Sequence, residues 1–376
     1  MPKYTLLLCA LGLASTPAVS QVRARDLGLR PGVFAPGPHN AITDVAGVTV
    51  GHTTIIDGDS VRTGITAILP HGDDPYQSRV PAAIHVGNGF GKLLGSTQVN
   101  ELGELETPIL LTCTLCVWRA ADAMVEWMLA RPGMERVRSL NPVVAETNDG
   151  RLNPAIRARP ITAAQVQQAL TGARSGPVAE GSVGAGTGTS AFGWKGGIGT
   201  SSRILSERLG GHTVGVLVQT NFGGLLTMGG VELWRTLGRH GYAAEARAQA
   251  DSGSVIVVIA TDAPISDRNL ARLASRAMLG LGRTGSSASN GSGDYVIAFS
   301  THSAVRRVAT ARRHSITELA NEEMSALFQA VVEATEESVY NSLTMATTVR
   351  SRGGTVEALP LDQVRSLLRA AGIGPR

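Results

Sequence analysis

The chain has 376 residues, with 34 Lys and Arg against 30 Asp and Glu, a formal charge of +4 and an isoelectric point near 9.2. So even a balance, scattered along the chain and joined to only 4% aromatic residues, supplies neither the basic stripe nor the stacking platforms that nucleic-acid binding needs. The length is enough to bury a large core, and 45 glycines imply many tight turns and close backbone approaches.

The first twenty residues read as a targeting segment. Lys3 supplies a positive start, Leu6–Leu13 a short apolar run, and Ala18-Val19-Ser20 a small-residue cleavage site, so the mature chain is expected to begin at Gln21. The apolar run is too short to span a bilayer. Cys9 follows Leu8, where a lipoprotein signal would place a small residue. The expectation is a soluble exported protein, periplasmic if the source is Gram-negative.

Residues 21–43 form a polar lead-in rich in Pro and Gly (Pro31, Gly32, Pro36, Gly37, Pro38). Val45–Thr54, with a turn at Ala46-Gly47, reads as a strand, as do Thr63–Leu69 and Pro81–Val86, the last ending in a glycine loop at 87–91. Thr107–Leu111 is a further strand. Val117–Leu129 has helical spacing, with Trp118, Ala121, Met124, Val125 and Met128 on one face. Val143–Ala145 is a short apolar run that delivers Glu146 at its end, and Thr162 caps a helix expected to run to Leu170.

Cys113 and Cys116 are the two cysteines left after the leader. Their spacing invites zinc or redox chemistry, but no second CxxC and no placed His pair completes a zinc site. A thioredoxin-like motif fits Thr112–Trp118 only loosely, so packing cysteines, oxidised to each other or not, are expected. The histidines, among them His52, His71, His85, His212 and His302, are scattered without a metal-binding pair.

The stretch 175–199 is dense in glycine. Its Gly184-Ala185-Gly186-Thr187-Gly188 lacks the GxGxxG spacing, and no GKS or GKT follows, so it makes a poor phosphate loop. Thr213–Gln219 reads as a buried strand running on to Asn221, and Glu232–Gln249 as a polar and basic helix or loop on the surface. Ser254–Thr261 and Asp294–Ser300 read as two more strands with a helix over 267–280 between them. Ile316–Thr348 is helical over much of its length, and 363–370 is a terminal helix. Strands and helices mix along the chain with no long linker and no repeat, which suits one α/β sandwich with helices over a pair of stacked sheets.

The most informative stretch is Asp251-Ser252-Gly253-Ser254 followed by Val255-Ile256-Val257-Val258-Ile259-Ala260. A turn entering a core strand is its plainest meaning. A break between Gly253 and Ser254, however, would leave a hydroxyl and a free α-amine on one residue, and the amine could serve as base for that hydroxyl. An unperturbed α-amine titrates at about 7.7–8.0 and is partly unprotonated near neutrality. Glycine at 253 removes a side chain where the hydroxyl must attack its own preceding carbonyl. Ser182 also follows a glycine, Gly181, but glycines rather than a β-branched strand come after it, which excludes it as the processed serine.

Three other positions could complete such a site. Asn221 closes an apolar strand; it could form a turn, or its amide could donate to a developing oxyanion, worth about 2.7–4 kcal/mol in comparable sites. Glu146, also at a strand end, is either a solvated loop carboxylate or a partner for an ammonium group. Asn290-Gly291-Ser292-Gly293-Asp294 reads as a glycine-rich bend.

Together these segments resemble the self-processing aminopeptidases of the DmpA/BapA type (L-aminopeptidase/D-esterases and β-peptidyl aminopeptidases). The resemblance covers nearly the whole chain after residue 25. It takes in Asp44-Val45-Ala46-Gly47-Val48-Thr49-Val50-Gly51-His52, Gly87-Asn88-Gly89-Phe90-Gly91-Lys92, Glu101-Leu102-Gly103 and Glu146-Thr147-Asn148-Asp149-Gly150. Gly181–Gly188, Gly215–Asn221, Arg283–Ser286 and Asn290–Asp294 extend it.

The resemblance implies an αββα sandwich, shared with ornithine acetyltransferase, and a precursor that cuts itself into 21–253 and 254–376, two chains that stay associated. It implies Ser254 as nucleophile, Ser292 as its hydrogen-bond partner, the acidic residue two further on as orienter, Asn221 in the oxyanion hole and Glu146 on the substrate's free amino group. That acid is Asp294 here, one methylene shorter than the Glu that β-peptidyl members resemble. Some members carry an oxyanion-hole Tyr in the loop after Glu146; this chain has none between 146 and 153, leaving Asn148 or Arg151 to substitute.

The implied substrates are small peptides, amino-acid amides or esters, with no cofactor, no metal, no nucleic acid and no membrane partner, and the implied assembly is an oligomer of the two-chain unit. The alternatives are an acyltransferase of the ornithine acetyltransferase type, whose Ala-Thr-Met-Leu setting is absent here, and a non-enzymatic exported binding protein with an uncut chain.

Overall fold

The structure, a computed structural model, describes residues 21–240 and 253–375. Residues 1–20, which hold the expected leader, and the stretch 241–252, which includes much of the expected 232–249 helix or loop, lie outside them. The main elements are β1 (Thr49–Asp57), β2 (Val61–Leu69), β3 (Ser78–Gly89), β4 (Leu93–Leu94), α1 (Ser96–Leu102), β5 (Ile109–Cys113), α2 (Val117–Leu129), β6 (Val143–Thr147) and α3 (Ala163–Thr171). They continue with β7 (Ile198–Ile204), β8 (Thr213–Asn221), α4 (Leu233–Leu237), β9 (Gly253–Thr261), α5 (Asp267–Arg283), β10 (Ser292–Ser300), β11 (Arg307–Val308), α6 (Met324–Thr344) and α7 (Leu361–Ala370).

The β-branched run forms β9 because both of its faces are buried. Val255, Val257 and Ile259 join the core beneath α5 and α6, while Ile256, Val258 and Ala260 join the core between the two sheets. This is the period-two alternation of a strand covered on both sides, where β-branched residues fill a pleated surface well. β9 is the centre of a seven-stranded sheet ordered β7-β8-β9-β10-β3-β11, with Glu104–Leu105 also paired to β3. β9 and β10 run parallel, joined by α5 as crossover, and their other neighbours β8 and β3 run antiparallel to them.

The second sheet is ordered β1-β2-β5-β6-β4. Its outer face packs on α2 and α3 through residues such as Ile65, Leu110, Val117, Met124 and Val166. Its inner face packs on the first sheet through Ile68, Ile109, Leu111, Val143 and Ala145 against Ile256, Val258 and Ile297. The layers are therefore helices, five strands, seven strands, helices, the αββα sandwich expected. Among the described residues no helix is long and apolar enough to cross a membrane.

Several expectations of detail change. Thr162 caps α3 as expected, with its hydroxyl accepting from Gln165 N at 3.3 Å and Gln165 returning the bond to Thr162 N at 2.9 Å. The helix expected from Ile316 begins only at Met324. Before it, Leu319 N bonds Pro264 O at 2.8 Å and Glu318 accepts from Ser266 N, so contacts with the start of α5 hold the chain out of a helix. Ser292 opens a strand rather than sitting in a bend, and β3 runs through the glycine stretch to Gly89. The stretch 175–199 is glycine-rich for packing: a Cβ on Gly199 would lie 1.9 Å from Ser338 O of α6, which crosses β7 there.

Candidate active site

Strand register gathers the site. Ser254 lies opposite Asn221 on one side and Gly293 on the other; Gly253 lies opposite Ser292, and Asp294 opposite Asn88. One edge of the seven-stranded sheet therefore carries the last residue of β8, the first two of β9 and the first three of β10. Glu146 comes from the other layer, at the carboxyl end of β6. Ser254, Ser292, Asp294, Asn221 and Glu146 are all buried.

The Ser254 hydroxyl donates to the carbonyl of its own preceding residue, Gly253 O, at 2.5 Å, and accepts from Gly293 N at 3.4 Å. Alternation sends Ser254 to the inter-sheet face with Ile256 and Val258, the face to which Asn221 also belongs, two residues beyond Gln219. Ser292 and Asp294 fall on the opposite face. A Cβ on Gly253 would come 3.2 Å from Ser292 Oγ, and one on Gly87 would approach both Met278 of α5 and Asp294 Cβ. Ser292 thus stands beside the Gly253–Ser254 peptide bond rather than on the face to which alternation sends the serine hydroxyl.

Asp294 reaches its partner despite the shorter arm. Ser292 Oγ donates to Asp294 Oδ1 at 2.5 Å, and Asp294 Oδ2 is buried without a partner. Burial pushes the Asp294 carboxyl above its ordinary value, against the bonds from Ser292 and the Val255 backbone. Asn88 ties down the turn before β10, its amide donating to Ser289 O and Asn290 O at 3.1 Å and to Ser292 O. Tyr295 lies next, its hydroxyl raised by burial and then by the carboxylates of Glu146 and Asp294.

Asn221 is held from two sides. Its Oδ1 accepts from Ser190 N at 3.0 Å and its Nδ2 donates to Asn148 O at 3.1 Å, and that nitrogen carries a second hydrogen able to donate. Asn148 therefore enters through its backbone; its exposed side chain accepts from Gly150 N at 3.0 Å. Asp149 and Lys195 are both buried. Burial raises Asp149 to about 7, opposed by the bond from Asn153 and reinforced by Glu146. Burial lowers Lys195 to about 7, with Asp149 pulling the other way. The Lys195 ammonium bonds Gly186 O and Gly196 O at 2.7 Å.

Glu146 is 2% exposed. Its Oε1 accepts from Lys92 N at 3.1 Å and lies 3.3 Å from Lys92 Nζ, while Oε2 is buried without a partner. A Cβ on Gly91 would sit 3.1 Å from the Tyr295 ring and 3.2 Å from both Glu146 Oε1 and Gly293 Cα, so the carboxylate and the start of β10 both close on the Gly91 backbone. The sequence expectations did not single out roles for Asn88, Lys92 or Ser190, although the first two stand in the Gly87–Lys92 motif. Ser182 lies elsewhere, bonded to Thr347. Cys113 and Cys116 are joined as a disulfide at the end of β5. Among the described residues no group of His, Cys, Asp and Glu is arranged to hold a metal ion.

Comparison with known proteins identifies the family. The profile of peptidase family S58 matches residues 40–357. The chain is 41% identical over 391 aligned positions to the β-peptidyl aminopeptidase BapA of Sphingosinicella xenopeptidilytica, covering 98% of this chain and 96% of that one. A Burkholderia β-aminopeptidase structure aligns with a TM-score of 0.86 at 40% identity, over 94% of this chain and 100% of the other. The L-aminopeptidase D-Ala-esterase/amidase of Ochrobactrum anthropi, described as a variant of the Ntn-hydrolase fold, aligns with a TM-score of 0.86 at 38% identity, over 94% and 99% of the two chains. With a matching profile over most of its length and close relatives covering nearly all of it, the chain belongs to peptidase family S58.

Proposed function

We propose that this protein is an exported, self-processing serine aminopeptidase that hydrolyses amide, ester or peptide bonds following an unblocked N-terminal residue. The observation that carries the proposal is the Ser254 hydroxyl, buried and bonded to Gly253 O at 2.5 Å, at the lip of β9 beside Asn221 and Gly293. In self-cleavage Ser254 Oγ attacks the Gly253 carbonyl carbon, the Ser254 nitrogen leaves, and water hydrolyses the resulting ester. The products are a Gly253 carboxylate and a Ser254 with free amine and hydroxyl.

The α-amine then accepts the hydroxyl proton as Ser254 attacks substrate and donates it to the leaving group, which leaves an acyl ester on Ser254. Water then attacks that ester, its proton passing through the amine to Ser254 Oγ as the acid is released. Asn221 Nδ2 stabilises the oxyanion. Ser292, held by Asp294, sits where Gly253 departs and so bonds the new amine. The unpartnered Oε2 of Glu146 takes the substrate's ammonium, which restricts hydrolysis to unblocked ends. The names of the relatives make β-aminoacyl substrates the first to assay. Export follows from the leader, and Gln21, Arg23 and Ala24, at the start of the mature chain, are bonded into the fold at Met345, Thr200 and Asn341. The working unit is the pair 21–253 and 254–376, assembled as an oligomer.

Purified protein should give two bands on a denaturing gel, the shorter beginning at Ser254, and Ser254→Ala should remain one inactive band. Wild type that is intact through this bond yet active, or Ser254→Ala that still splits there, overturns the proposal.

A further inference from the structure

Lys92 is a charged side chain beside Glu146 to which the mechanism gives no part. Its backbone and its ammonium both approach the same Glu146 oxygen, Oε1, at 3.1 and 3.3 Å. The ammonium also donates to Thr114 Oγ1 at 2.7 Å. Thr114 lies within the turn closed by the Cys113–Cys116 disulfide and by the Cys116 N to Cys113 O bond of 2.9 Å. Lys92 is 43% exposed at its side chain whereas Glu146 is 2% exposed, so the cation stands on the solvent side of a buried carboxylate. Every bond to Glu146 falls on one oxygen, and the other is buried and unpartnered.

We infer that Lys92, braced by Thr114, is a positioning residue for amine specificity: it pins Glu146 through Oε1 and so presents Oε2 to the substrate's ammonium. A buried carboxylate held at one oxygen keeps a fixed orientation and a counter-charge while the amine site is empty. A neutral side chain at 92 leaves only the backbone N–H on Oε1, which lets the carboxylate turn. The inference rests on Glu146 as the amine anchor.

The test compares an aminoacyl-p-nitroanilide with its des-amino analogue. Lys92→Met should raise KM for the free-amine substrate about tenfold with kcat within about twofold, and leave the des-amino analogue unchanged. Lys92→Arg should restore most of the discrimination, and Thr114→Val should show a weaker form of the same loss. A lowered KM would mean that Lys92 competes with substrate, and an equal loss on both substrates would mean a merely structural part; either overturns the inference. Glu146→Gln is assayed alongside. If it keeps the discrimination, the amine-anchor assignment itself fails; if it loses it while Lys92→Met keeps it, only the role of Lys92 fails. Should Lys92→Met not fold, Thr114→Val, which deletes one hydroxyl, decides the outcome.

Discussion

At the scale of single residues, side-chain reach and burial decide what the motif letters mean. Asp294 is one methylene shorter than glutamate, yet it meets Ser292 at 2.5 Å because the two are alternate residues on one strand face. Asp149 and Lys195 show the cost of burial. Asp149, raised to about 7, binds a proton in the native state that the unfolded chain releases near its ordinary value, so its contribution to stability is full at low pH and lost as pH rises through about 7. Lys195, lowered to about 7, has the opposite window: its contribution is present above its ordinary value of 10.5 and lost as pH falls through about 7. Asp149→Asn should therefore gain stability relative to wild type between pH 4 and 7, with a slope of at most about 1.4 kcal/mol per pH unit. Urea midpoints of both proteins at several pH values test this; a constant difference across that range would refute it.

At the scale of elements, the site is a consequence of strand ends. The β9-α5-β10 unit brings two strand beginnings together because its strands run parallel, and antiparallel β8 ends where they begin. A shift of one residue in β9 would send Ser254 to the helix face. The turn after β5 is fixed covalently. Its disulfide spans a separation of three residues, and the chain-entropy relation for so short a loop gives about 2 kcal/mol. A Cys113→Ser, Cys116→Ser double variant should lose about that much in denaturant unfolding, and its KM for free-amine substrates should rise as Thr114 loses its support. An unchanged midpoint would show that packing alone holds the turn.

At the scale of the whole molecule, the lead-in before β1 is bolted to α6 by buried charge. Arg203 of β7 is fully buried and bonds Glu333 at 3.1 Å and Glu337 at 2.8 Å; Arg25 and Asn40 also bind Glu337, and Val33 N and Phe34 N bind Glu333. Burial alone would raise Glu337, but Arg203, Arg25 and Asn40 together hold it below its ordinary value. Its stability contribution is thus present above the ordinary carboxylate range and lost as pH falls through the depressed native value. Arg203→Met removes the buried cation shared by Glu333 and Glu337 and should cost about 3–5 kcal/mol. Calorimetry should show a markedly lower melting temperature at neutral pH, with the deficit narrowing in acid; a deficit that does not change with pH would mean lost packing rather than lost charge pairing.

The sequence by itself determined the elements whose chemistry is local. The β-branched run of β9 could be read because both of its faces are apolar, the Thr162 cap because a threonine hydroxyl ahead of a helix can accept from its first turn, and the Gly253-Ser254 step because its chemistry needs only adjacent atoms. The family motifs carried the sandwich and singled out Ser254, Ser292, Asp294, Asn221 and Glu146 as candidates. Tertiary structure alone decided which of these meet and through which atoms. Asn148 acts through its carbonyl, Ser190 through its N–H, Ser292 on the far face of the sheet, and Lys92 across 54 residues to Glu146. The reason is physical: strand periodicity and capping are properties of neighbours in sequence, whereas register between strands and contact between layers are set by how two buried faces close on each other.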